Sequence, residues 1–400
     1  MAGAIFVVAG SPTEQQGPVA SLLSTSGWAA AAERLLGRSW VVTPAGVLSP
    51  VEARRRGSDA SLRSRATPPA HRRVPAPVKT AVKDLRQWRH QGGFRVDPVG
   101  PWRGTEVAFV WQRHELFQQA GLKLARALRV PSVLFVPATV VWEAEQWGTR
   151  RPGWGGLLER VGEKPALCAA DLVACGTATV AEQVRRLGTP PERVITTPSG
   201  VDLEGFDNVP DPAPLRRALG LEGRFVVGWV GSFRRFHALD QVVEAVAAVD
   251  GAALLLVGDG PERPRIEALA RARGVPTTCT GTVAHDRLPE HLWAMDVAVV
   301  AAPADSPFHY SPLKLAEYLA AGLAVVAPAA GQLPERLRDG VDALLVAPHD
   351  PAALAGALAR LRDDPVLRKR LGEAGRATAR AAWSWDEQVR RVVEALGATA

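Results

Sequence analysis

The 400-residue chain has only three cysteines, Cys168, Cys175 and Cys279, at spacings that suit neither a disulfide framework nor a metal site. Their scarcity fits a reducing compartment. Long apolar runs are missing too. No stretch approaches the roughly 18 residues needed to span a bilayer, and the opening MAGAIFVVAGSP lacks a basic n-region and a full signal core. The expected location is the cytoplasm, with peripheral attachment at the inner face of a membrane left open by the charge pattern. No G-x-G-x-x-G opens either half after its first strand, which counts against a dinucleotide-dependent dehydrogenase. There is no Asp-x-Asp pair, so no metal is expected as a cofactor. No nucleic-acid-binding motif accompanies the basic residues, and nucleic acid is not an expected partner.

What is present is globular: 47% hydrophobic and 22% charged residues, over a length that calls for two domains of roughly 150–200 residues. The net charge of +7 is concentrated. Residues 51–95 hold twelve Arg or Lys against three Asp or Glu, leaving the remainder mildly acidic. Such a block reads either as a solvated face or as a contact with an anionic membrane or acidic acceptor. Within it, KTAVKDLRQWRH (79–90) patterns as a basic helix with Val82, Leu85 and Trp88 on one side. The Pro-, Ser- and Arg-rich stretch 49–77 reads as a long surface connection.

Short apolar runs alternate with longer amphipathic ones, the signature of βα units and parallel sheets. In the first half the runs are 5–9, 40–43, 107–111, 132–136, 172–174 and 194–197, with helical patterns at 116–128 and 179–187. GVDLEGFDNVPDPAPLRRALGL, rich in Pro, Asp and Gly, reads as a linker. The alternation restarts at 225–230, 253–257, 277–280, 297–301, 324–327 and 343–346. Helices are expected to start near Leu239, Pro261, Leu288, Pro312, Leu333 and Pro351. The fold class is α/β: an acceptor-side domain 1–200 completed by a closing helix 383–400, a linker or hinge 201–222, and a doubly wound domain 223–382.

Ligands of open α/β sheets bind beyond the carboxyl ends of strands. Three loops of the second half attract attention. Gly231-Ser232-Phe233-Arg234-Arg235-Phe236-His237 offers a glycine turn, two arginines and a histidine, read either as a clamp for a diphosphate or as an exposed loop of an Arg-rich chain. Gly258-Asp259-Gly260 is a tight turn, read either as a phosphate approach or as the turn alone. The third runs through His309-Tyr310-Ser311-Pro312-Leu313-Lys314 to Glu317. Pro312 would open a helix whose free N–H groups receive a phosphate oxygen, and Glu317, on its buried side, would need a partner, either ribose hydroxyls or a group within the protein.

SPLKLAEYLAAGLAVVAP resembles the donor-site signature of the family 4 glycosyltransferases. The resemblance extends to TTPSGVDLEGF, GWVGSFRRFHALD, LLLVGDGPERPRIEALA, CTGTVAHDRLPEHLWAMDVAVV and the closing WSWDEQVRRVV, covering nearly all of 195–396. The first half matches chiefly at WQRHELFQQAGLKLARALRVPSVLF. It implies a GT-B architecture, two Rossmann-like doubly wound domains facing each other across a cleft that closes about a hinge near 200–206. It also implies retaining transfer from a nucleoside-diphosphate sugar to a hydroxyl acceptor. On that reading Gly231, Ser232, Gly258, Gly260, Val283, His309, Tyr310, Ser311, Pro312, Leu313, Lys314 and Glu317 bind the donor, Glu317 at the ribose. Arg234, Arg235, His237 and His114 are the catalytic candidates.

This sequence departs from the pattern at three places. His309 stands where the signature often has a first glutamate, His237 where the phosphate loop has a lysine, and Pro137 where the first domain often has a histidine. His114, in WQRHE, is the nearest substitute, although a lone histidine there is more often structural. Gln16, Gly17, Glu143 and Glu145, with Trp142 nearby, are the acceptor-side candidates. A silent sugar-nucleotide-binding protein and a sugar-nucleotide epimerase remain as alternatives. Base, sugar, acceptor (natural product, small molecule or lipid-linked glycan) and oligomeric state are left open.

Overall fold

The structure is a computed structural model that describes residues 2–9, 19–63, 75–303 and 313–399. Its contacts divide the chain into two compact units, Met1–Gly200 with Trp385–Ala400, and Val201–Ser384.

The first unit holds one seven-stranded sheet: β1 (Ala2–Val7), β2 (Gly37–Thr43), β3 (Gly46–Leu48), β4 (Glu106–Arg113), β5 (Ser132–Val136), β6 (Leu172–Cys175) and β7 (Val194–Thr196). Their order is β3-β2-β1-β4-β5-β6-β7. All pairs are parallel except β2 with β3, a short hairpin that the sequence pattern did not reveal. The second unit holds six strands: β8 (Phe225–Val230), β9 (Ala252–Val257), β10 (Thr277–Gly281), β11 (Val297–Val299), β12 (Ala324–Pro328) and β13 (Leu344–Val346). They run in the order β10-β9-β8-β11-β12-β13, all parallel. In each sheet the strand order reverses beside its first strand, at β1/β4 and at β8/β11, which is the doubly wound arrangement. Helices cover both faces of such sheets, so strands are apolar on both sides; β9, AALLLV, is buried throughout.

Three expectations are corrected. Residues 49–77 are not one long connection: 50–63 form the helix Pro50–Arg63, and a second helix begins at Ala76. The stretch read as a linker is only partly one. Val201 N–H donates to Trp383 O at 2.8 Å, Phe206 is buried in the second unit's core, and Ala213–Ala218 is helical. The helix expected from residue 116 starts at Ala120.

Aromatic packing fixes the first unit. Trp111 stacks on Phe135 with centroids 5.4 Å apart, and Trp28, from the helix Val19–Leu36, lies against both of them and against Trp385. Trp385 opens the final helix, Trp385–Thr399, and Gly27 makes room for it. A Cβ there would lie within 2.3 Å of the indole nitrogen. Arg34 and Asp386 pair at 2.8 Å across the same contact. No described helix is long and apolar enough to cross a membrane.

Trp28 is 1% exposed. Trp28→Ala is expected to destabilise the first unit by about 3–5 kcal/mol, measured as a shift in chemical denaturation. A loss below about 1 kcal/mol would show that the cluster is not its keystone.

Candidate functional site

The candidate site lies at the carboxyl end of β8, beside the switch point of the second sheet. Three strand ends are laced there by backbone: Gly231 N–H donates to Val257 O at 2.9 Å, and Gly258 N–H to Gly281 O at 2.8 Å. The loops after β8 and β9 then lie backbone against backbone. A Cβ on Gly258 would sit 2.0 Å from Gly231 O, and one on Gly260 would sit 1.9 Å from Ser232 O. Packing alone therefore requires both glycines, and Gly258 also holds φ 122°. The G-D-G turn is a spacer that lets the β8 loop settle.

Phe233 anchors that loop. It is fully buried and meets Trp229 edge-on at 5.1 Å, while its carbonyl accepts from Glu262 N–H at 3.0 Å. With Phe233 turned inward, Ser232, Arg234 and Arg235 are left exposed. The Arg235 side chain is 88% exposed, with Glu262 loosely opposed at 3.9 Å.

From the other side comes the helix Leu313–Ala320, tied down by its tyrosine: Val230 N–H donates to the Tyr318 hydroxyl at 2.7 Å. This fixes the rotation of the helix. Lys314 then lies with Nζ 4.1 Å over the Trp229 ring, where a Cβ on Gly231 would come within 2.8 Å of it. Glu317, one turn on, faces His285 across 3.9 Å; its side chain is 14% exposed. His285 lies on the turn His285–Arg287 after β10, near the half-buried Val283. The structure thus gathers Gly231, Ser232, Arg234, Arg235, Lys314 and Glu317 about one strand end. Leu313 opens the described part of the helix. Sequence reasoning missed Tyr318 and His285, although Tyr318, four residues after Lys314, was legible as sharing its side of the helix.

Charge decides the next point. His237 packs on Trp229 at 5.1 Å and on Phe236 at 4.2 Å, and burial, with Lys314 and Arg234 nearby, pushes its pKa down to about 2. Burial thus disfavours a charge on His237, which packs between Trp229 and Phe236 and leaves Arg234 and Arg235 as the cations of this loop. Lys314 stands in its place. Burial pushes the ammonium down to about 7, with Glu317 pulling the other way.

His309, Tyr310, Ser311 and Pro312 lie outside the described residues, as do Gln16 and Gly17. In the first unit, His114 follows β4 at the switch point, but its ring is fully buried. Nε2 lies 2.9 Å from Glu163 Oε2, whose carboxylate also accepts the Val140 and Val141 N–H groups at 2.8 and 2.9 Å. Glu163 closes a π-helical turn and thereby caps the helix Val140–Gln146, which carries a half-buried Glu143 and an exposed Glu145. His114 serves here to hold that carboxylate, in line with the structural reading of a lone histidine.

Against this geometry the chain was compared with known proteins. Residues 224–364 match the family "Glycosyl transferases group 1". The group 1 match spans β8 to the helix Pro351–Asp363 and so contains the whole candidate site. A D-inositol 3-phosphate glycosyltransferase of Geodermatophilus obscurus is 35% identical over 259 residues, 60% of this chain and 55% of the relative. The chain spans little more than half the length of the curated relatives it matches first. Among solved structures, HepE of Anabaena in complex with UDP is similar over 100% of both chains, with a TM-score of 0.66 at 18% identity. Sucrose-phosphate synthase from Thermosynechococcus elongatus gives 0.66 at 20%, again over 100% of both chains. The fold is therefore GT-B, two Rossmann-like domains, as the motif resemblance implied.

The depressed Lys314 has a consequence for stability. An unfolded lysine keeps its proton up to about 10.5, so between about 7 and 10.5 the unfolded chain binds more protons and stability from this group rises with pH. Lys314→Met should accordingly gain most over the wild type below pH 7, with the gain fading towards pH 10. Melting temperatures across that range test it, and a difference independent of pH would contradict the placement.

Proposed function

We propose that the chain is a retaining glycosyltransferase that moves a sugar from a nucleoside-diphosphate sugar to a hydroxyl acceptor without a metal. The observation that carries this reading is the convergence of Arg234, Arg235, Lys314 and Glu317 on the carboxyl end of β8, inside the stretch that matches the group 1 family. In this reading the guanidinium groups and the Lys314 ammonium meet the diphosphate, and Glu317 accepts from the ribose hydroxyls. Trp229 keeps Lys314 poised beside the Gly231 backbone. Uridine is the first base to try, because HepE was crystallised with UDP.

The chemistry asked of the protein is modest. The bond from the anomeric carbon to the phosphate oxygen breaks, and the acceptor oxygen bonds to that carbon on the same face. The departing phosphate takes the acceptor proton, so no side-chain nucleophile is needed. Fixed cations that match the charge growing on the leaving group lower the barrier. Independence of metal is supported by the absence of an Asp-x-Asp pair. The acceptor is a polar hydroxyl compound or a lipid-linked glycan, and the basic segment 51–95 is the place we assign to a peripheral membrane contact.

Slow cleavage of the donor by water provides the test, since it needs no acceptor. With UDP-, GDP-, ADP- and TDP-hexoses in excess EDTA, one donor should release its nucleotide, and the free sugar should first appear with the donor's own anomeric configuration by NMR. Glu317→Ala should lower kcat/KM by about 10²-fold, on the order of 2.7 kcal/mol. Activity that returns only with a divalent metal, or an inverted first product, would overturn the mechanism proposed.

A further inference from the structure

The helix Ala76–Gly93 is built inside out. Surface helices normally bury their apolar stripe and show charge to water. Here Val78, Val82 and Leu85 recur at i, i+4 and i+7, with Trp88 one turn further, and they are 49%, 43%, 57% and 54% exposed. Among its described side chains, the one this helix buries is an acid, Asp84. Its carboxylate accepts both Nε–H and a terminal N–H of Arg151, at 2.9 and 3.0 Å, and the Trp154 indole N–H at 3.0 Å. A bidentate pair of this kind fixes orientation. It holds the helix with its polar side inward and its apolar ridge outward.

The ridge has a charged flank. Lys79, Lys83 and Arg86 follow the apolar residues one position on at each step, and together with Arg89 they are exposed. Just past Trp154, Leu157 and Val161 add two more exposed apolar side chains, one turn apart on the segment that the same clamp reaches. The other basic helix, Pro50–Arg63, differs. Its small residues Ala53 and Gly57 are buried, Gly57 against Leu23, and among its described side chains Val51 is the one bulky apolar group exposed. An exposed ridge of bulky apolar groups ending in a tryptophan, with lysines and arginines alongside, is complementary to the headgroup boundary of an anionic bilayer.

We infer that the Ala76–Gly93 helix docks the first unit on an anionic lipid surface, with Val78, Val82, Leu85 and Trp88 entering the headgroup–acyl boundary and Lys79, Lys83, Arg86 and Arg89 meeting lipid phosphates. This deepens the membrane contact assigned above to residues 51–95, and it narrows that contact to one helix face. The docking requires nothing of the donor site. Its use is to bring the enzyme to lipid-linked hydroxyl acceptors.

Co-sedimentation of the full chain with vesicles tests the inference. Binding is expected to phosphatidylcholine vesicles that contain phosphatidylglycerol, and at least about tenfold weaker binding to pure phosphatidylcholine or at about 0.5 M salt. Two variants separate the contributions: Val82→Ser/Leu85→Ser/Trp88→Ser removes the ridge and Lys79→Gln/Lys83→Gln/Arg86→Gln removes the flank. Each should lower the partition coefficient by at least about tenfold. These positions are exposed, so the fold is kept, and stabilisation by a nucleoside diphosphate should be the same in both variants as in the wild type. That second readout tells a failure of docking from a failure of the donor reading. No binding to anionic vesicles at low salt would overturn the inference, as would full binding by the ridge variant. So would a wild-type dimer that the ridge variant converts to monomer, which would give the face to a second copy of the chain.

Discussion

At the carboxyl end of β8, backbone meets backbone and one hydroxyl fixes the rest. Gly231 O lies where a side chain at 258 would have to stand, so the β8 and β9 loops close up only through glycine. Val230 N–H, at the end of the strand, is satisfied by Tyr318 from the helix Leu313–Ala320. A buried N–H left without a partner would cost on the order of 1–3 kcal/mol. The same bond that removes this cost also sets the rotation of the helix, and with it the positions of Lys314 and Glu317. Phe233 does the corresponding work for the β8 loop: because its ring is buried, the arginines that follow stand in solvent.

Charge in the site is arranged so that cation and neutral group are told apart by burial. Four basic side chains surround Trp229 or follow it closely, yet they differ in burial. Arg234 and Arg235 remain charged in water. His237, sealed between Trp229 and Phe236, is held neutral. Lys314, half-buried on the indole face, sits close to the balance point near neutral pH, where an arriving anion would settle it as the ammonium.

Much of the fold was legible because strands covered on both faces read as plain apolar runs; twelve of the thirteen strands in the described residues were anticipated, of which β10, TTCTG, is half-exposed throughout and not an apolar run. β3 escaped because three residues give no period. The helix Pro50–Arg63 escaped for a different reason: it packs through Ala53 and Gly57, and such small residues produce no amphipathic signal among so many arginines. In the site, Lys314 and Glu317 could be read from a motif, whereas pairings distant in sequence could not. Glu163 lies 49 residues from His114, and Asp84 lies 67 from Arg151. The neutrality of His237 was likewise invisible, because a sequence shows a residue's type and not its burial.

A thermal-shift panel of uridine, guanosine, adenosine and thymidine diphosphates, without metal, tests whether the donor nucleotide binds at the carboxyl end of β8. One of them, at about 100 times its Kd, is expected to stabilise the protein by about 2.7 kcal/mol, and Arg234→Ala/Lys314→Ala is expected to abolish the shift. If no diphosphate stabilises the wild type even at high concentration, or if the shift survives in the double variant, the carboxyl end of β8 is not the donor site.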